Sequence, residues 1–210
     1  MRAEPPVDVA VFARAPIPGH AKTRLIPRLG AEGAARLQQQ LIDLALARAR
    51  GLPEARVTLW TSGPPEDARM AAAAAAVGAT LREQHGADLG ARMAHAFSAT
   101  LDGRSAMLLI GTDCPAQTVD DLRAAVAALA EADAVVQPAE DGGYVLIGMR
   151  QPHTALFDRV EWGSATVLAT TRARARERGL RLAELPVCWD LDHAEDFDRA
   201  LSLGLVRPPS

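Results

Sequence analysis

The stretch VAVFARAPIPGHAKTRL, residues 9–25, joins an apolar run to a loop that carries cations. The run is typical of a buried strand, and it ends at Arg14. Prolines and Gly19 follow, and then Lys22 and Arg24. Lysine and arginine side chains bind phosphate oxygens, and glycine lets the backbone come close to a ligand. The segment therefore predicts a strand that ends in a phosphate-binding loop, and a solvated loop with surface cations is the alternative.

Two common phosphate-binding motifs do not fit this loop. Ala21 stands where a P-loop has the glycine that precedes its lysine. The dinucleotide fingerprint G-x-G-x-x-G is absent from the chain. The loop is thus expected to bind a polyphosphate in a different way.

The composition indicates one folded unit, and we expect residues 1–210 to form a single domain. A net charge of −3 does not indicate a nucleic-acid partner, and no apolar run approaches the ~20 residues that span a bilayer. The first residues lack the apolar core of a signal peptide. Cys114 and Cys188 are the only cysteines, which fits a reducing cytoplasm. We expect a cytoplasmic protein without membrane or nucleic-acid partners, and the sequence leaves open whether it forms a homodimer.

Short apolar runs alternate with helical patterns along the whole chain. This alternation predicts an α/β protein with a three-layer α/β/α, Rossmann-like arrangement and a mostly parallel sheet. An Asp-Gly-Gly turn predicts a hairpin in residues 133–149, which makes the sheet mixed. The other strands are predicted at 7–13, 55–62, 79–84, 105–113 and in 180–192, and the helices at 31–50, 64–78, 88–101, 118–132, 164–179 and 194–204.

Acidic residues follow two of the predicted strands. Asp113 comes directly after a fully apolar run, and Asp190 and Asp192 alternate after the last strand. Ligands of open α/β sheets bind beyond the carboxyl ends of the strands, and carboxylates hold Mg²⁺ or Mn²⁺. These three residues are candidate metal ligands. A local turn at Asp113 and a helix cap at Asp192 are the alternatives.

The hairpin turn contains a second group of candidates. Glu140 and Asp141 lie at its tip, and Gly142 and Gly143 permit close approach of a substrate. We expect these four residues to contact the acceptor, although a plain hairpin turn would explain the glycines equally well.

Five segments in chain order resemble one known family: FARAPIPGHAKTRL, QHGADLGARM, GTDCP, EDGGYVLIG and WDLDHAEDF. They are similar to the DUF2064 family, and the resemblance covers about residues 7–203. The family has the glycosyltransferase A fold of the nucleotide-diphospho-sugar transferase superfamily. It is similar to 2-phospho-lactate guanylyltransferase and to the molybdenum-cofactor guanylyltransferase. The resemblance implies a nucleotide-binding half and a more variable acceptor half.

The resemblance also implies roles for individual residues. Asp113 stands where these enzymes place a metal-binding Asp, and the second acid of their D-x-D-like motif is missing from T-D-C-P. Asp190 or Asp192 could then supply the other ligand. Trp162 and Ser164 would line the acceptor pocket. The nucleotide-binding set would be Ala13, Arg14, Gly19, Lys22, Arg24, Asp88 and Arg92, with Lys22, Arg24 and Asp113 as the catalytic residues.

Three functions follow from these observations. The first is Mg²⁺- or Mn²⁺-dependent nucleotidyl transfer from an NTP to a phosphorylated small molecule, since two cations in the first loop suit a triphosphate. The second is glycosyl transfer from a nucleotide-sugar at the same site. The third is a nucleotide-binding protein without catalytic activity.

Overall fold

The computed structural model describes residues 7–63, 67–103 and 105–209. Seven strands form one sheet in the order β3-β2-β1-β4-β6-β5-β7. Among these strands, β6 runs antiparallel to both of its neighbours, and the other pairs are parallel. The strands are β1 (Val7–Arg14), β2 (Arg56–Ser62), β3 (Thr80–Glu83), β4 (Ala106–Ile110), β5 (Ala134–Pro138), β6 (Tyr144–Met149) and β7 (Leu182–Glu184).

Helices cover both faces of this sheet. Helices α1, α2 and α4 pack on one face, α3 and α5 pack on the other, and α6 packs against α1. Each of these helices is too short or too polar to cross a lipid bilayer. The three-layer α/β/α arrangement and the mixed, mostly parallel sheet are confirmed. The helices are α1 (Ile26–Arg50), α2 (Ala68–Ala76), α3 (Leu89–Thr100), α4 (Val119–Ala128), α5 (Val167–Glu177) and α6 (Ala194–Ser202), with short 3₁₀ helices at Thr23–Leu25 and Thr154–Phe157.

Strand β1 lies at the centre of the sheet, which explains its unbroken apolar sequence. Val9 and Val11 pack into the core under α1, α2 and α4. Ala10 and Phe12 point to the opposite face and join the core under α3 and α5. A strand that is covered on both faces needs apolar residues at consecutive positions, without the alternation of a half-exposed strand.

Two helix starts differ from the sequence predictions. Helix α1 begins at Ile26, before the predicted residue 31, and its axis breaks at Gly30, where φ is 70°. Helix α5 was predicted from residue 164, and this start is wrong. The Ser164 hydroxyl donates to the Glu161 carbonyl at 2.8 Å, and the helix begins at Val167. The predicted first turn of α2, residues 64–66, lies outside the described residues.

One glycine in the sheet gives a test of this packing. A Cβ added at Gly148 in β6 would lie 2.6 Å from Leu108 Cδ2 and 3.0 Å from Val135 Cγ1. We therefore expect Gly148→Ala to lower the free energy of unfolding by about 1–3 kcal/mol, measured by urea denaturation. Leu108→Ala removes the contacted methyl, so the glycine substitution should cost less in that background. An equal cost in both backgrounds would contradict the described contact.

Candidate active site

A cleft of about 570 Å³ opens at the carboxyl edge of the sheet. The loops after β1, β4 and β7 and the β5–β6 hairpin meet there. Helix α3 contributes its first residue, Leu89. The structure brings eight of the predicted site residues to this cleft: Arg14, Lys22, Arg24, Asp113, Asp141, Gly143, Asp190 and Asp192.

Lys22 is the most buried charged group of the cleft. Its backbone is left-handed, with φ 45° and ψ 47°, a conformation that few residues other than glycine adopt. Its side chain is only 6% exposed, and Nζ lies 2.8 Å from Asp113 Oδ1 and 3.3 Å from Asp192 Oδ1. The ammonium also donates to the carbonyl of Leu191. The loop after β1 is thereby joined to the loops after β4 and β7.

The protonation state of Lys22 follows from two opposing effects. Burial lowers the pKa of the ammonium, and the carboxylates of Asp113 and Asp192 raise it. The two carboxylates together outweigh burial, so the pKa of Lys22 lies above its ordinary value. Lys22 therefore serves as a fixed positive charge and not as a proton donor or acceptor at neutral pH.

Further backbone and side-chain contacts hold the loops after β1, β4 and β7 together. The Leu191 N–H donates to the Asp113 carbonyl at 2.7 Å, while the Leu191 carbonyl accepts from Lys22. Arg24 pairs with the other oxygen of Asp192 at 3.1 Å. Asp192 was considered as a cap for α6, but the N-cap residue is His193, whose N–H donates to the Asp196 carboxylate at 2.7 Å. The carboxylate of Asp192 thus belongs to the cleft.

The acidic side of the cleft carries more negative charge than Lys22 and Arg24 neutralise. Burial, together with the charges of Asp141, Asp192 and Asp113, raises the pKa of Asp190 to about 6. A carboxyl group that is surrounded by other negative charges binds a proton or a cation more readily. Within residues 7–63, 67–103 and 105–209, however, no three acidic, histidine or cysteine side chains are already arranged as a metal site. The candidate ligands Asp113, Asp190 and Asp192 share one cleft, while Lys22 stands between two of them.

Four residues of the predicted nucleotide-binding set do not line the cleft. The Ala13 side chain packs into the core beneath β1, and Gly19 forms an exposed turn with φ 80°. The Asp88 carboxylate caps α3 by accepting a backbone N–H at 2.8 Å. Arg92 Nε donates to the Gly86 carbonyl at 3.2 Å. In this structure these side chains support the strand and loops next to the cleft.

Two of the four predicted residues in the hairpin turn line the cleft, and the other two contact neighbouring segments. Glu140 points away and pairs with Arg199 at 3.2 Å. Gly142 has φ 89°, and a Cβ there would lie 2.3 Å from the Ala165 carbonyl oxygen. The close approach that this glycine allows is therefore to the segment before α5. Asp141 lines the cleft, as does Gly143.

A second cavity of about 180 Å³ adjoins the cleft, and we call it the side cavity. Trp162 and Ser164, which were predicted to contact the acceptor, lie in its wall. It shares several wall residues with the cleft, among them Phe12, Asp141 and Gly143. Trp162 and Ser164 thus lie at an adjoining space beside the charged part of the cleft.

Sequence reasoning missed Gln38 of α1. It is 3% exposed, and its Nε2 donates to the Arg14 carbonyl at 3.1 Å and to Thr112 Oγ1 at 3.3 Å. This amide joins the end of β1 to the loop that carries Asp113. A signal was available, because Gln38 adjoins Leu37 and lies three residues before Leu41 on the apolar stripe of the helix.

Cys114 lies beside Asp113 in the loop after β4. It is buried, and its Sγ is 2.8 Å from that of Cys188, with both residues as free thiols. Contact with Cys188 and burial raise the pKa of the Cys114 thiol, which disfavours the thiolate that a nucleophile requires. The thiol therefore supports the wall of the cleft.

Known proteins share this fold. A phosphoenolpyruvate guanylyltransferase from Sphaerobacter thermophilus is 30% identical over 184 residues, which is 85% of each chain. A crystal structure from Desulfovibrio desulfuricans, described as a nucleotide-diphospho-sugar transferase, is 30% identical with a TM-score of 0.84, over 93% of this chain and 85% of that one. A Mycobacterium tuberculosis protein solved with manganese is 18% identical with a TM-score of 0.55, over 94% and 98% of the two chains, and shows the fold alone.

The fold, the cleft and these relatives define a transferase of the nucleotidyltransferase or glycosyltransferase kind. The model of one family, "Uncharacterized protein conserved in bacteria (DUF2064)", matches residues 43–164. The chain belongs to the DUF2064 family, as its five ordered segments indicated.

The raised pKa of Asp190 predicts a dependence of stability on pH in the metal-free protein. The folded-state pKa of about 6 exceeds the ordinary value of 3.8, so the folded protein holds this proton more tightly than the unfolded chain. That contribution is complete below about pH 4 and is lost as the pH rises through about 6. Asp190→Asn keeps the group neutral. We expect it to raise the free energy of unfolding by about 1–2 kcal/mol at pH 8 and hardly at all at pH 4.

Urea denaturation in EDTA at the two pH values measures this difference. Asp158→Asn, an exposed position outside the cleft, is the matched control and should change stability little at either pH. If Asp190→Asn raised the free energy of unfolding equally at pH 4 and pH 8, the pKa of Asp190 would not be raised in the folded protein.

Proposed function

We propose that this protein transfers a nucleotidyl group from a nucleoside triphosphate to a phosphorylated small molecule, with a divalent metal ion. Guanosine triphosphate is the proposed donor, because the curated relative is named a guanylyltransferase. The acceptor phosphate oxygen would attack the α-phosphorus, and pyrophosphate would leave. The observation that supports this most is the buried Lys22 ammonium, set between Asp113 and Asp192 at the mouth of a cleft.

The charges of the cleft suit a metal-bound polyphosphate. Cationic Lys22 and Arg24 suit phosphate oxygens, and the carboxylates opposite them suit a divalent cation. In the free protein these groups neutralise one another, with Lys22 2.8 Å from Asp113 and Arg24 3.1 Å from Asp192. A ligand that carries both signs of charge can replace both ion pairs without leaving a charge unpaired.

The residues present fit a divalent metal ion. Asp113 is half exposed to the cleft. Burial and the neighbouring carboxylates raise the pKa of Asp190, and a bound cation would oppose this effect. Asp113 and Asp190 would hold the ion, with Asp192 beside them. Such an ion would neutralise charge on the phosphates during transfer.

The chain's own residues would bind and orient the donor. Lys22 is fixed by burial and by its contact with Leu191, so it can present charge to a leaving pyrophosphate without reorganising. Arg24, with 64% of its side chain exposed, can reach outward to the outer phosphates. Arg14 at the end of β1 adds a third cation at the same wall of the cleft.

Glycosyl transfer from a nucleotide-sugar is the second candidate. The 30% identical crystal structure described as a nucleotide-diphospho-sugar transferase favours it. The same cations would then stabilise a nucleoside diphosphate as the leaving group. The two reactions differ in their donor, and so in the ligand that stabilises the folded protein.

A thermal-shift panel separates these candidates. We expect GTP with Mn²⁺ to raise the melting temperature by about 5–10 °C at a hundredfold excess over Kd, and the other NTPs to act less. Pyrophosphate release on addition of an acceptor would then be measured. A shift with UDP- or GDP-sugars but with no NTP would replace nucleotidyl transfer by glycosyl transfer. No shift with any of these ligands would favour a protein without this activity.

Asp113→Asn tests the metal component of the proposal. We expect the variant to lose the Mn²⁺-dependent part of the GTP shift and about 100-fold in the rate of pyrophosphate release. Asp43→Asn, an exposed position on α1, is the control and should match the unmodified protein. Metal-dependent binding that is unchanged in Asp113→Asn would show that the metal lies elsewhere.

A further inference from the structure

The side cavity differs in chemistry from the cleft that it adjoins. Its wall is built largely of aromatic and aliphatic side chains, including Phe12, Leu89, Met93, Tyr144 and Trp162. Among the described residues that line it, Asp141 is the charged one, and none is a lysine, an arginine or a histidine. The cations Arg14, Lys22 and Arg24 lie in the cleft and do not line this cavity.

The walls of the side cavity are held by packing. The indole of Trp162 lies directly over Gly90 of α3, where a Cβ would come within 2.7 Å of Nε1. The Trp162 ring also stands perpendicular to that of Tyr144, with centroids 6.4 Å apart, and meets Phe157 at 6.3 Å. Side chains fixed on several sides do not collapse into the space between them, so the cavity is preformed.

We propose that the acceptor carries a compact, uncharged apolar group that fills the side cavity, while its phosphate lies in the cleft. The inference rests on the transferase activity proposed above and names the class of its acceptor. An apolar cavity of about 150 Å³ accepts a benzene molecule, so a space of about 180 Å³ suits a group of about six to eight non-hydrogen atoms.

Charge excludes a small polyanion from this space. Phosphoenolpyruvate, the acceptor in the name of the curated relative, carries a carboxylate close to its phosphate. In the side cavity that carboxylate would be buried against apolar side chains, with Asp141 as the nearest charge and no cation among the described lining residues. Burial of an unpaired charge is strongly unfavourable. A nucleobase is disfavoured for a related reason, since its several hydrogen-bonding groups would lose water with few partners.

Leu89 allows the inference to be tested without disturbing the core. It lines both the cleft and the side cavity and is 43% exposed. Leu203 is 59% exposed and lines neither space, which makes it a matched control. Leu89→Gln and Leu203→Gln each replace an apolar side chain by a polar one of similar size.

The experiment compares phenyl phosphate, methyl phosphate and phosphoenolpyruvate by isothermal titration calorimetry on the full chain with Mn²⁺ and without nucleotide. We expect phenyl phosphate to bind about tenfold more tightly than methyl phosphate, because its ring leaves water. Phosphoenolpyruvate should bind no more tightly than methyl phosphate. Leu89→Gln should weaken phenyl phosphate several-fold and methyl phosphate clearly less, while Leu203→Gln changes neither.

The outcomes separate this inference from the proposed reaction. Equal affinity for phenyl and methyl phosphate, tighter binding of phosphoenolpyruvate, or an unchanged affinity in Leu89→Gln would each overturn the inference, even where GTP is found to be the donor. Conversely, Leu89-dependent binding of phenyl phosphate by a protein that GTP does not stabilise would support the apolar site and refute nucleotidyl transfer from GTP.

Discussion

The site depends on the burial of one ammonium group. Lys22 can be 6% exposed only because Asp113 and Asp192 face it and the Leu191 carbonyl accepts from it. These partners come from the loops after β4 and β7, and Lys22 itself lies in the loop after β1, so one charge fixes the relative position of all three loops. The backbone at Lys22 is also left-handed, with φ 45° and ψ 47°. Local strain of this kind persists only where surrounding contacts determine it.

The same cleft contains a carboxylate, Asp190, whose negative charge does not stabilise the fold. Asp190 has a pKa of about 6 because it is partly buried beside other carboxylates, so its ionised form is less favourable than that of an exposed aspartate. A core built for stability alone would replace such a group by an apolar one. Negative charge that the chain itself leaves unneutralised is what a cation-binding site requires. The unfavourable ionisation of Asp190 in the metal-free protein and the proposed binding of a metal ion therefore have the same cause.

Much of this arrangement could be predicted from the sequence. The apolar run of β1 and the acids after β4 and β7 identified which loops meet, because parallel strands end at one edge of a sheet. The directions of individual side chains could not be predicted in this way. Asp88 caps α3 at the surface, and Gly142 packs on Ala165. These side-chain directions depend on packing between segments that are distant in the chain. A local sequence pattern carries no information about such packing.

The reversed strand β6 explains how one edge of the sheet can carry two adjoining spaces of different chemistry. In an all-parallel sheet, each strand contributes only its carboxyl end to the ligand edge. Because β6 runs antiparallel to β4 and β5, its first residues and the hairpin before it lie at that same edge. Tyr144 and Gly143 therefore line both the cleft and the side cavity. The cations come from the loop after β1, and much of the apolar wall comes from β6 and the segment before α5. The wall of the proposed acceptor site can therefore change in sequence while the wall proposed to bind phosphate remains intact.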